Sequence, residues 1–279
     1  MEFTKMHGIG NDYIYFNCLE NGIEDPEGLS QALSQYHFGV GADGIVLILP
    51  SKRADFRMRM FNADGSEGKM CGNASRCIGK YVYERGLTNK TELTLETLSG
   101  IKHLSLEVSQ GKVKSVKIDM GIADFRADKI PVTTDKDEIV NDYLSFGETK
   151  TRGTCVSVGN PHFVIFTEDI DSLDLEKIGP VYENAKIFPE RINTEFVEII
   201  DNKTLKMRVW ERGSGETLAC GTGACAVASA AVKCGFCKKD APIKIRLRGG
   251  DLEITCRSDG HIIMCGGAAF VFDGRMLDA

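Results

Sequence analysis

The sequence predicts an α+β fold made of two pseudo-symmetric αβ halves, each a mixed, mostly antiparallel sheet or barrel wrapped on a central helix. Three observations lead to this prediction. The chain repeats itself at a fixed offset, each half contains several segments in which apolar and polar residues alternate, and each half carries one helical segment that begins at a Cys-Gly pair. A length of 279 residues gives each half enough chain to bury its own core.

The repeat is defined by two dipeptides that recur 149 residues apart. Gly10-Asn11 corresponds to Gly159-Asn160, and Cys71-Gly72 corresponds to Cys220-Gly221. Matches of glycine alone are expected by chance in a chain with 30 glycines, but two different dipeptides at one offset are not. We therefore interpret the chain as two structural copies of one unit.

Each copy contains the same predicted strands in the same order. A strand follows the Gly-Asn turn, two more come before the Cys-Gly helix, and a meander with glycine-containing turns follows the helix. In the first copy these segments are 13–19, 44–50, 56–61 and 91–121, and in the second they are 162–168, 194–200, 205–210 and 243–266.

The helices after the two Cys-Gly pairs differ in composition. In 74–83 the apolar residues form one stripe, whereas 224–232 is small and apolar on all sides, which predicts a central, closely wrapped helix. We assign 1–120 to the N-terminal half and 121–266 to the C-terminal half, and we expect 267–279 to pair back onto the N-terminal half.

The composition excludes several classes of protein. The net charge is −6 with no basic run, so we expect no nucleic-acid partner. No apolar segment is long enough for a membrane span or a signal peptide, so we expect a soluble, cytoplasmic protein. The ten cysteines are expected to be mostly buried, and Cys234 and Cys237 lack the second CxxC pair that a zinc site requires. No motif for an organic cofactor or metal is present, so we expect neither.

Cysteine at the start of a helix suggests acid–base chemistry. The first N–H groups of a helix lack intrahelical partners and carry partial positive charge, which favours a thiolate, so we expect lowered pKa values for Cys71 and Cys220. The amides that follow, in Gly72-Asn73 and Gly221-Thr222, could hold a carboxylate. One such motif would be explained by helix packing. Two copies at matching positions favour a function, with both thiols directed into a cleft between the halves.

Two equivalent thiols suit the inversion of a stereocentre. One base removes a proton from one face of the carbon, and an acid delivers a proton to the other face. The two groups exchange roles in the reverse direction. Two helix N-termini could stabilise the negative charge that develops on an α-carboxylate during this transfer.

The chain resembles the diaminopimelate epimerase family, whose members interconvert LL- and meso-diaminopimelate without pyridoxal phosphate. The residues that carry the resemblance extend from one end of the chain to the other. They are "KMHGIGNDY" at 5–13, "GVGADGIV" at 39–46, "FNADGSEGKMCGNASRC" at 61–77, "VSVGNPHFVIF" at 156–166, "RINTEFVE" at 191–198 and "ERGSGETLACGTGACA" at 211–226. The family fold, two pseudo-symmetric αβ halves with the active site in the cleft between them, agrees with the repeat.

The resemblance implies a role for each matching residue. Cys71 and Cys220 would be the acid–base pair, and His162 and Glu211 would tune the thiols. The backbone amides of Gly72, Asn73, Gly221 and Thr222 would bind the reacting α-carboxylate. The amino groups and the distal carboxylate of a diamino dicarboxylate substrate would be held by Asn11, Asn62, Asn160, Asn193, Glu211 and Arg212.

Physical chemistry supports part of this assignment. Arginine is suited to clamping a distal carboxylate, and asparagine can bind either an ammonium group or a carboxylate. Asn11 and Asn160 also suit the turns in which they occur, and His162 after Pro161 could serve only as the start of a strand. Gly44 departs from the pattern, because some relatives carry a side-chain amide there.

Three alternatives remain open. A proline or hydroxyproline racemase of the same fold would not need the distal clamp formed by Arg212 and Glu211. A thiol redox or metal-storage protein would use Cys234 and Cys237 as much as Cys71 and Cys220. A non-catalytic binder of diamino acids would bind without proton exchange. For the epimerase we also expect a homodimer.

Overall fold

The computed structural model describes residues 1–147 and 149–277. The last two positions of the segment 267–279, which the sequence predicts to pair with the N-terminal half, lie outside the described residues. The chain divides into two compact units. Met1–Asp119 and the described part of Cys265–Ala279 form the first, here the N-terminal unit, and Met120–Met264 form the second, the C-terminal unit.

The N-terminal unit is built on a mixed sheet with a long helix. Its elements, numbered along the chain, are β1 (Glu2–Gly8), β2 (Asn11–Asn17), α1 (Pro26–Ser34), β3 (Gly44–Leu49), β4 (Phe56–Asn62), β5 (Glu67–Gly68), α2 (Gly72–Glu84), β6 (Glu92–Thr97), β7 (Gly100–Ser109) and β8 (Lys112–Ile122), whose last residues pass into the C-terminal unit. The pairs β2–β3 and β4–β6 are parallel, whereas β1–β2, β3–β4, β6–β7 and β7–β8 are antiparallel.

After one additional strand, the C-terminal unit repeats this order of elements. It contains β9 (Asp142–Phe146), β10 (Thr149–Ser157), β11 (Pro161–Phe166), α3 (Leu175–Glu183), β12 (Asn193–Asp201), β13 (Thr204–Glu211), β14 (Gly215–Thr217), α4 (Gly221–Lys233), β15 (Ile243–Leu247), β16 (Gly250–Cys256) and β17 (His261–Gly266), whose last two residues belong to the N-terminal unit. Short 3-10 turns lie at Ala127–Lys129 and Ile170–Ser172. The parallel pairs β11–β12 and β13–β15 correspond to β2–β3 and β4–β6. The last strand, β18 (Ala269–Arg275), pairs antiparallel with β1 in the N-terminal unit.

The two long helices are buried as their sequences predict. In α2 the predicted stripe of Ala74, Cys77, Ile78, Tyr81 and Val82 is buried. In α4 the residues from Ala224 to Ala231 are all buried, because their small side chains let the surrounding strands approach closely. The fold class predicted from the sequence, a mixed and largely antiparallel sheet with one principal helix in each half, is confirmed.

Glycines with positive φ lie directly before Asn11 and Asn160, at the starts of β2 and β11. Ile9 and Gly10 join β1 to β2 with φ values of 51° and 89°, which fits a tight hairpin turn, and Gly159 has a φ of 91° before β11. Only glycine adopts this backbone region without strain. As a result, Asn11 begins β2 and Asn160 directly precedes β11.

Two helices, α1 and α3, were not predicted from the sequence. Helices α1 and α3 are nine residues each, and α3 contains Pro180, so neither shows a long apolar stripe. Helix α3 is fixed by packing instead. A Cβ on Gly179 would lie 2.2 Å from the Trp210 ring, and the Nε1 of Trp210 donates a 2.7 Å hydrogen bond to Glu183.

Candidate active site

Cys71 is the N-cap of α2, as the sequence predicts. Its Sγ accepts a hydrogen bond from the Ala74 N–H at 3.4 Å, and its thiol donates to Asn11 Oδ1 at 3.5 Å. Asn73 Nδ2 donates to the same Asn11 oxygen at 3.2 Å. The structure therefore brings together Cys71, Asn11 and Asn73, with Gly72 as the first residue of the helix.

Two charged residues that the sequence analysis did not select support this group. Asp43 accepts hydrogen bonds from Asn11 Nδ2 at 2.6 Å and from the Asp12 N–H at 3.1 Å, which fixes the Asn11 amide. Arg76 is fully buried, and it donates to Asn73 Oδ1 at 2.7 Å and to the Gly267 carbonyl at 3.1 Å. A buried cation is thus hydrogen-bonded to Asn73, one of the residues grouped with Cys71. Arg76 lies within the matched motif at 61–77, but nothing in its spacing indicated burial.

Asn62 occupies the end of β4. Its Nδ2 donates to Ser66 Oγ at 3.0 Å, within the turn between β4 and β5. Gly44 is the partner of Asn62 in the β3–β4 pair. A Cβ on Gly44 would lie 1.9 Å from the Phe61 carbonyl oxygen, so this backbone excludes the side-chain amide that some relatives carry there.

Cys220 is the N-cap of α4, again as predicted. The Gly223 N–H donates to Cys220 Sγ at 3.3 Å, and Thr222 Oγ1 lies 3.5 Å from the same sulfur. Only 5% of the residue is exposed. Gly221 begins the helix, so the amides of Gly221 and Thr222 belong to its first turn, where backbone N–H groups have no intrahelical partner.

The expectation of a lowered pKa is wrong for Cys220. Burial raises the pKa of the Cys220 thiol well above its ordinary value, and the nearby carboxylates of Glu211 and Glu195 raise it further. Hydrogen bonds from Thr222 and the Gly223 amide offset only part of this increase. A helix N-terminus favours a thiolate by about 1 kcal/mol, whereas burial next to negative charge disfavours it by more.

Glu211 lies at the end of β13 beside Cys220. It accepts a hydrogen bond from the Thr217 hydroxyl, which holds the carboxylate in place. Burial raises the pKa of Glu211, although hydrogen bonds from Thr217 and Cys220 lower it in part. The structure therefore brings the predicted tuning carboxylate to the predicted thiol.

His162 is fully buried and is connected to Thr222 through Asn160. Its Nε2 lies 3.0 Å from Asn160 Oδ1, and Asn160 Nδ2 donates to Thr222 Oγ1 at 3.3 Å. Its Nδ1 lies 2.6 Å from Glu195 Oε1. Glu195 was not selected from the sequence, because a single glutamate in an alternating strand usually faces solvent.

The Asn193 side chain is hydrogen-bonded to the backbone of Arg212. Asn193 Nδ2 donates to the Pro161 carbonyl at 2.9 Å, and its Oδ1 accepts from the Arg212 N–H at 3.0 Å. The Arg212 guanidinium donates from Nη1 to the Glu190 carbonyl at 2.8 Å. In this structure the Asn193 side chain thus holds the backbone that carries Arg212.

Within residues 1–147 and 149–277, no three His, Cys, Asp or Glu side chains are grouped as metal ligands would be. None of the helices in the same part of the chain has the length and hydrophobicity of a membrane span.

Comparisons with known proteins show sequence similarity along nearly the whole chain. A family model described as diaminopimelate epimerase matches residues 3–126 and 154–271. A protein named diaminopimelate epimerase from Acetivibrio thermocellus is 54% identical over 277 residues, which cover 99% of this chain and 98% of that protein.

Solved structures share the fold at low sequence identity. A phenazine biosynthesis protein of the PhzF family from Bacillus anthracis has a TM-score of 0.72 at 18% identity, covering 100% of this chain and 99% of that chain. A hydroxyproline epimerase from Agrobacterium vitis, with trans-4-hydroxy-L-proline bound, has a TM-score of 0.71 at 14% identity, covering 98% and 91%. At these identities the likeness concerns the fold alone.

Proposed function

We propose that this chain, which belongs to the diaminopimelate epimerase family, interconverts LL-2,6-diaminopimelate and meso-diaminopimelate. The observation that carries the proposal is the pair of N-cap cysteines, Cys71 and Cys220, at equivalent positions of two repeated units. Such a pair fits a reaction in which a proton leaves one face of a carbon and another arrives at the opposite face.

In the proposed mechanism, one cysteine acts as thiolate and the other as thiol. The thiolate takes the α-proton of the substrate, and the thiol gives its proton to the opposite face of the same carbon. The two sulfurs thereby exchange charge, and no oxidant or cofactor is consumed. The amides of Gly72, Asn73, Gly221 and Thr222 would stabilise the negative charge that develops on the α-carboxylate.

The rest of the substrate would be held by polar side chains. Arg212 is the proposed clamp for the distal carboxylate, since a guanidinium can bind both carboxylate oxygens. Asn11, Asn62, Asn160, Asn193 and Glu211 are the proposed contacts for the amino groups and carboxylates. His162 and Glu211 would set the protonation of the thiols.

Further features follow from the proposed reaction. The product would serve the synthesis of lysine and of peptidoglycan precursors. We also propose a cytoplasmic enzyme that works as a homodimer without a cofactor. These statements rest on the family and on the sequence.

A proline or hydroxyproline racemase is the nearest rival. Its fold is shared, as the hydroxyproline epimerase from Agrobacterium vitis illustrates at 14% identity. The relative from Acetivibrio thermocellus, at 54% identity, supports the diaminopimelate assignment instead. A compact imino acid also has no second carboxylate for Arg212 to bind.

The experiment that tests the proposal is incubation of the purified protein with LL-diaminopimelate in D₂O under reducing conditions, with no cofactor added. We expect meso-diaminopimelate with deuterium at the inverted centre, detected by NMR and chiral chromatography. Absence of both deuterium and the meso isomer would refute the proposal, and proline and hydroxyproline would then be tested in the same way. Binding of diaminopimelate without exchange would instead identify a non-catalytic binder.

A further inference from the structure

Glu195 is a buried carboxylate to which neither the sequence motifs nor the proposed reaction assigns a role. It is 0% exposed, and one of its oxygens, Oε1, lies 2.6 Å from His162 Nδ1. The other oxygen, Oε2, has no hydrogen-bond partner among the described residues. Burying a carboxylate costs free energy unless the group is paired and hydrogen-bonded, and here the contact with His162 is the one that can offset this cost.

We infer that Glu195 is a positioning residue that holds the His162 ring, with a proton on Nδ1, so that Nε2 faces Asn160. The inference rests on the proposed epimerase function for its catalytic consequence. A distance of 2.6 Å is typical of a charge-assisted hydrogen bond, in which a carboxylate accepts from an imidazole N–H. Asn160 Oδ1 can only accept, because Asn160 Nδ2 is turned toward Thr222, so the 3.0 Å contact requires that Nε2 also carry a proton and donate it to this oxygen.

The strand register explains how Glu195 reaches the ring. Strands β11 and β12 are parallel, with His162 beside Asn193 and Val164 beside Glu195. Residues two apart on a strand point to the same face, so Glu195 and Asn193 share the face on which His162 lies. The imidazole is therefore held on two sides, by Glu195 at Nδ1 and by Asn160 at Nε2.

The hydrogen bonds continue from Glu195 to the thiol. His162 contacts Asn160, Asn160 donates to Thr222, and Thr222 Oγ1 lies 3.5 Å from Cys220 Sγ. The titratable groups of this cluster come from each surrounding element: His162 on β11, Glu195 on β12, Glu211 on β13 and Cys220 at the start of α4. A change at Glu195 therefore alters the orientation of groups that the proposed reaction uses.

The repeat shows that the fold itself does not require this carboxylate. At the equivalent positions of the N-terminal unit, Val46 replaces Glu195 and Tyr13 replaces His162. Val46 is fully buried in β3, so an apolar residue completes the same strand. Helix α4 differs from α2 at the position next to this carboxylate. It has Gly223, where a Cβ would lie 2.8 Å from Glu195 Oε1, whereas the equivalent residue of α2 is Ala74. The C-terminal unit thus accommodates a carboxylate that its counterpart lacks.

The test combines NMR with kinetics on the full-length protein. In protein labelled with ¹⁵N-histidine, the wild type should show a strongly downfield Nδ1 proton for one of the five histidines, identified by its loss in His162→Asn. Glu195→Gln should remove this signal and lower kcat about 10²-fold, with KM nearly unchanged, because Glu195 acts through the ring. Glu195→Asp, which restores the charge, should recover part of kcat.

The matched control is Glu198→Gln, the same change on the same strand at a half-buried position. It should leave the downfield proton and kcat unchanged. A wild-type protein without this proton, or a Glu195→Gln variant with wild-type kcat, would overturn the inference. If the wild type fails to epimerise diaminopimelate, the proposed function is wrong, but the presence of the proton and its loss in Glu195→Gln still test the positioning of His162.

Discussion

Cys71 and Cys220 occupy equivalent N-cap positions, yet the charged groups that lie near the two sulfurs differ. Arg76, a fully buried cation, supports the Cys71 site through Asn73, and its counterpart in α4 is the neutral Cys225. The carboxylates of Glu195 and Glu211 act on Cys220, whereas their counterparts in the N-terminal unit are Val46 and Asn62.

The difference shows that the repeat preserves the backbone and changes its electrostatics. Both sulfurs accept a hydrogen bond from the amide three residues on, at 3.4 Å for Cys71 and 3.3 Å for Cys220. The raised pKa of Cys220 keeps its thiol protonated at neutral pH. In the proposed reaction, the direction that uses Cys220 as the base forms a thiolate near the carboxylates of Glu211 and Glu195.

The largest expected effect comes from removing either thiol. Replacing Cys71 or Cys220 by Ala should lower the rate of epimerisation about 10³-fold in each case, because each half-reaction loses its proton donor or acceptor. The measurement is meso-diaminopimelate formed from the LL isomer. Cys234→Ala is the control, and an equal loss of activity there would favour the thiol redox alternative.

The buried cation should matter for stability in one unit only. Arg76→Met removes the donor to Asn73 Oδ1 and to the Gly267 carbonyl, which should cost about 3 kcal/mol of unfolding free energy. Cys225→Ala, at the equivalent position of α4, should cost about 1 kcal/mol. Urea unfolding followed by circular dichroism compares the two. Equal costs would show that the charge of Arg76 has no special role.

The proposed clamp for the distal carboxylate is found in the C-terminal unit only, since the counterpart of Arg212 in the N-terminal unit is Ala63. Arg212→Ala should raise KM for diaminopimelate about 10²-fold, because a charged hydrogen-bonding group is lost from the proposed contact with the second carboxylate. Initial-rate kinetics give this value. Arg152→Ala, which removes a mostly exposed guanidinium bonded to the Asn141 carbonyl, is the control. An unchanged KM in Arg212→Ala would refute the clamp.

Gly223 and Ala74 allow a test of the helix starts. Glycine to alanine within a helix normally stabilises by about 1 kcal/mol, but Gly223→Ala should destabilise by about 1 kcal/mol, since the new Cβ would lie 2.8 Å from Glu195 Oε1. Ala74→Gly should also destabilise by about 1 kcal/mol, through helix propensity alone. Adding Glu195→Val to Gly223→Ala should remove the penalty. The measurement is denaturant unfolding of the wild type, the two single variants and the double variant. If the double variant is as unstable as Gly223→Ala, contact with Glu195 is not the cause of the destabilisation.

The smallest expected effect is a shift in thiol reactivity. Because the negative charge of Glu211 raises the pKa of Cys220, Glu211→Gln should lower that pKa and let alkylation proceed at lower pH. At pH 8 the alkylation rate of Cys220 should rise about threefold. Iodoacetamide labelling, followed by mass spectrometry of the Cys220 peptide, measures this rate. Glu198→Gln should leave it unchanged, and a slower reaction in Glu211→Gln would contradict the sign of the effect.

The repeat, the fold class and the two helix-start cysteines could be predicted from the amino-acid sequence alone. Apolar periodicity and a fixed offset are local properties, so they could be recognised without coordinates, and the long helices and most predicted strands lie where these patterns place them. The short helices α1 and α3 were missed, because tertiary contacts such as Trp210 against Gly179 define them more than periodicity does.

The charged groups around each thiol could not be predicted from the sequence, because they depend on the tertiary fold. The argument from the helix dipole predicted a lowered pKa at both cysteines and failed at Cys220, where burial and the approach of Glu195 and Glu211 outweigh the dipole. Arg76 and Glu195 are ordinary charged residues in the sequence. Their burial depends on which strands pair and in what register, and the energy of a charge depends on that burial far more than on its neighbours along the chain.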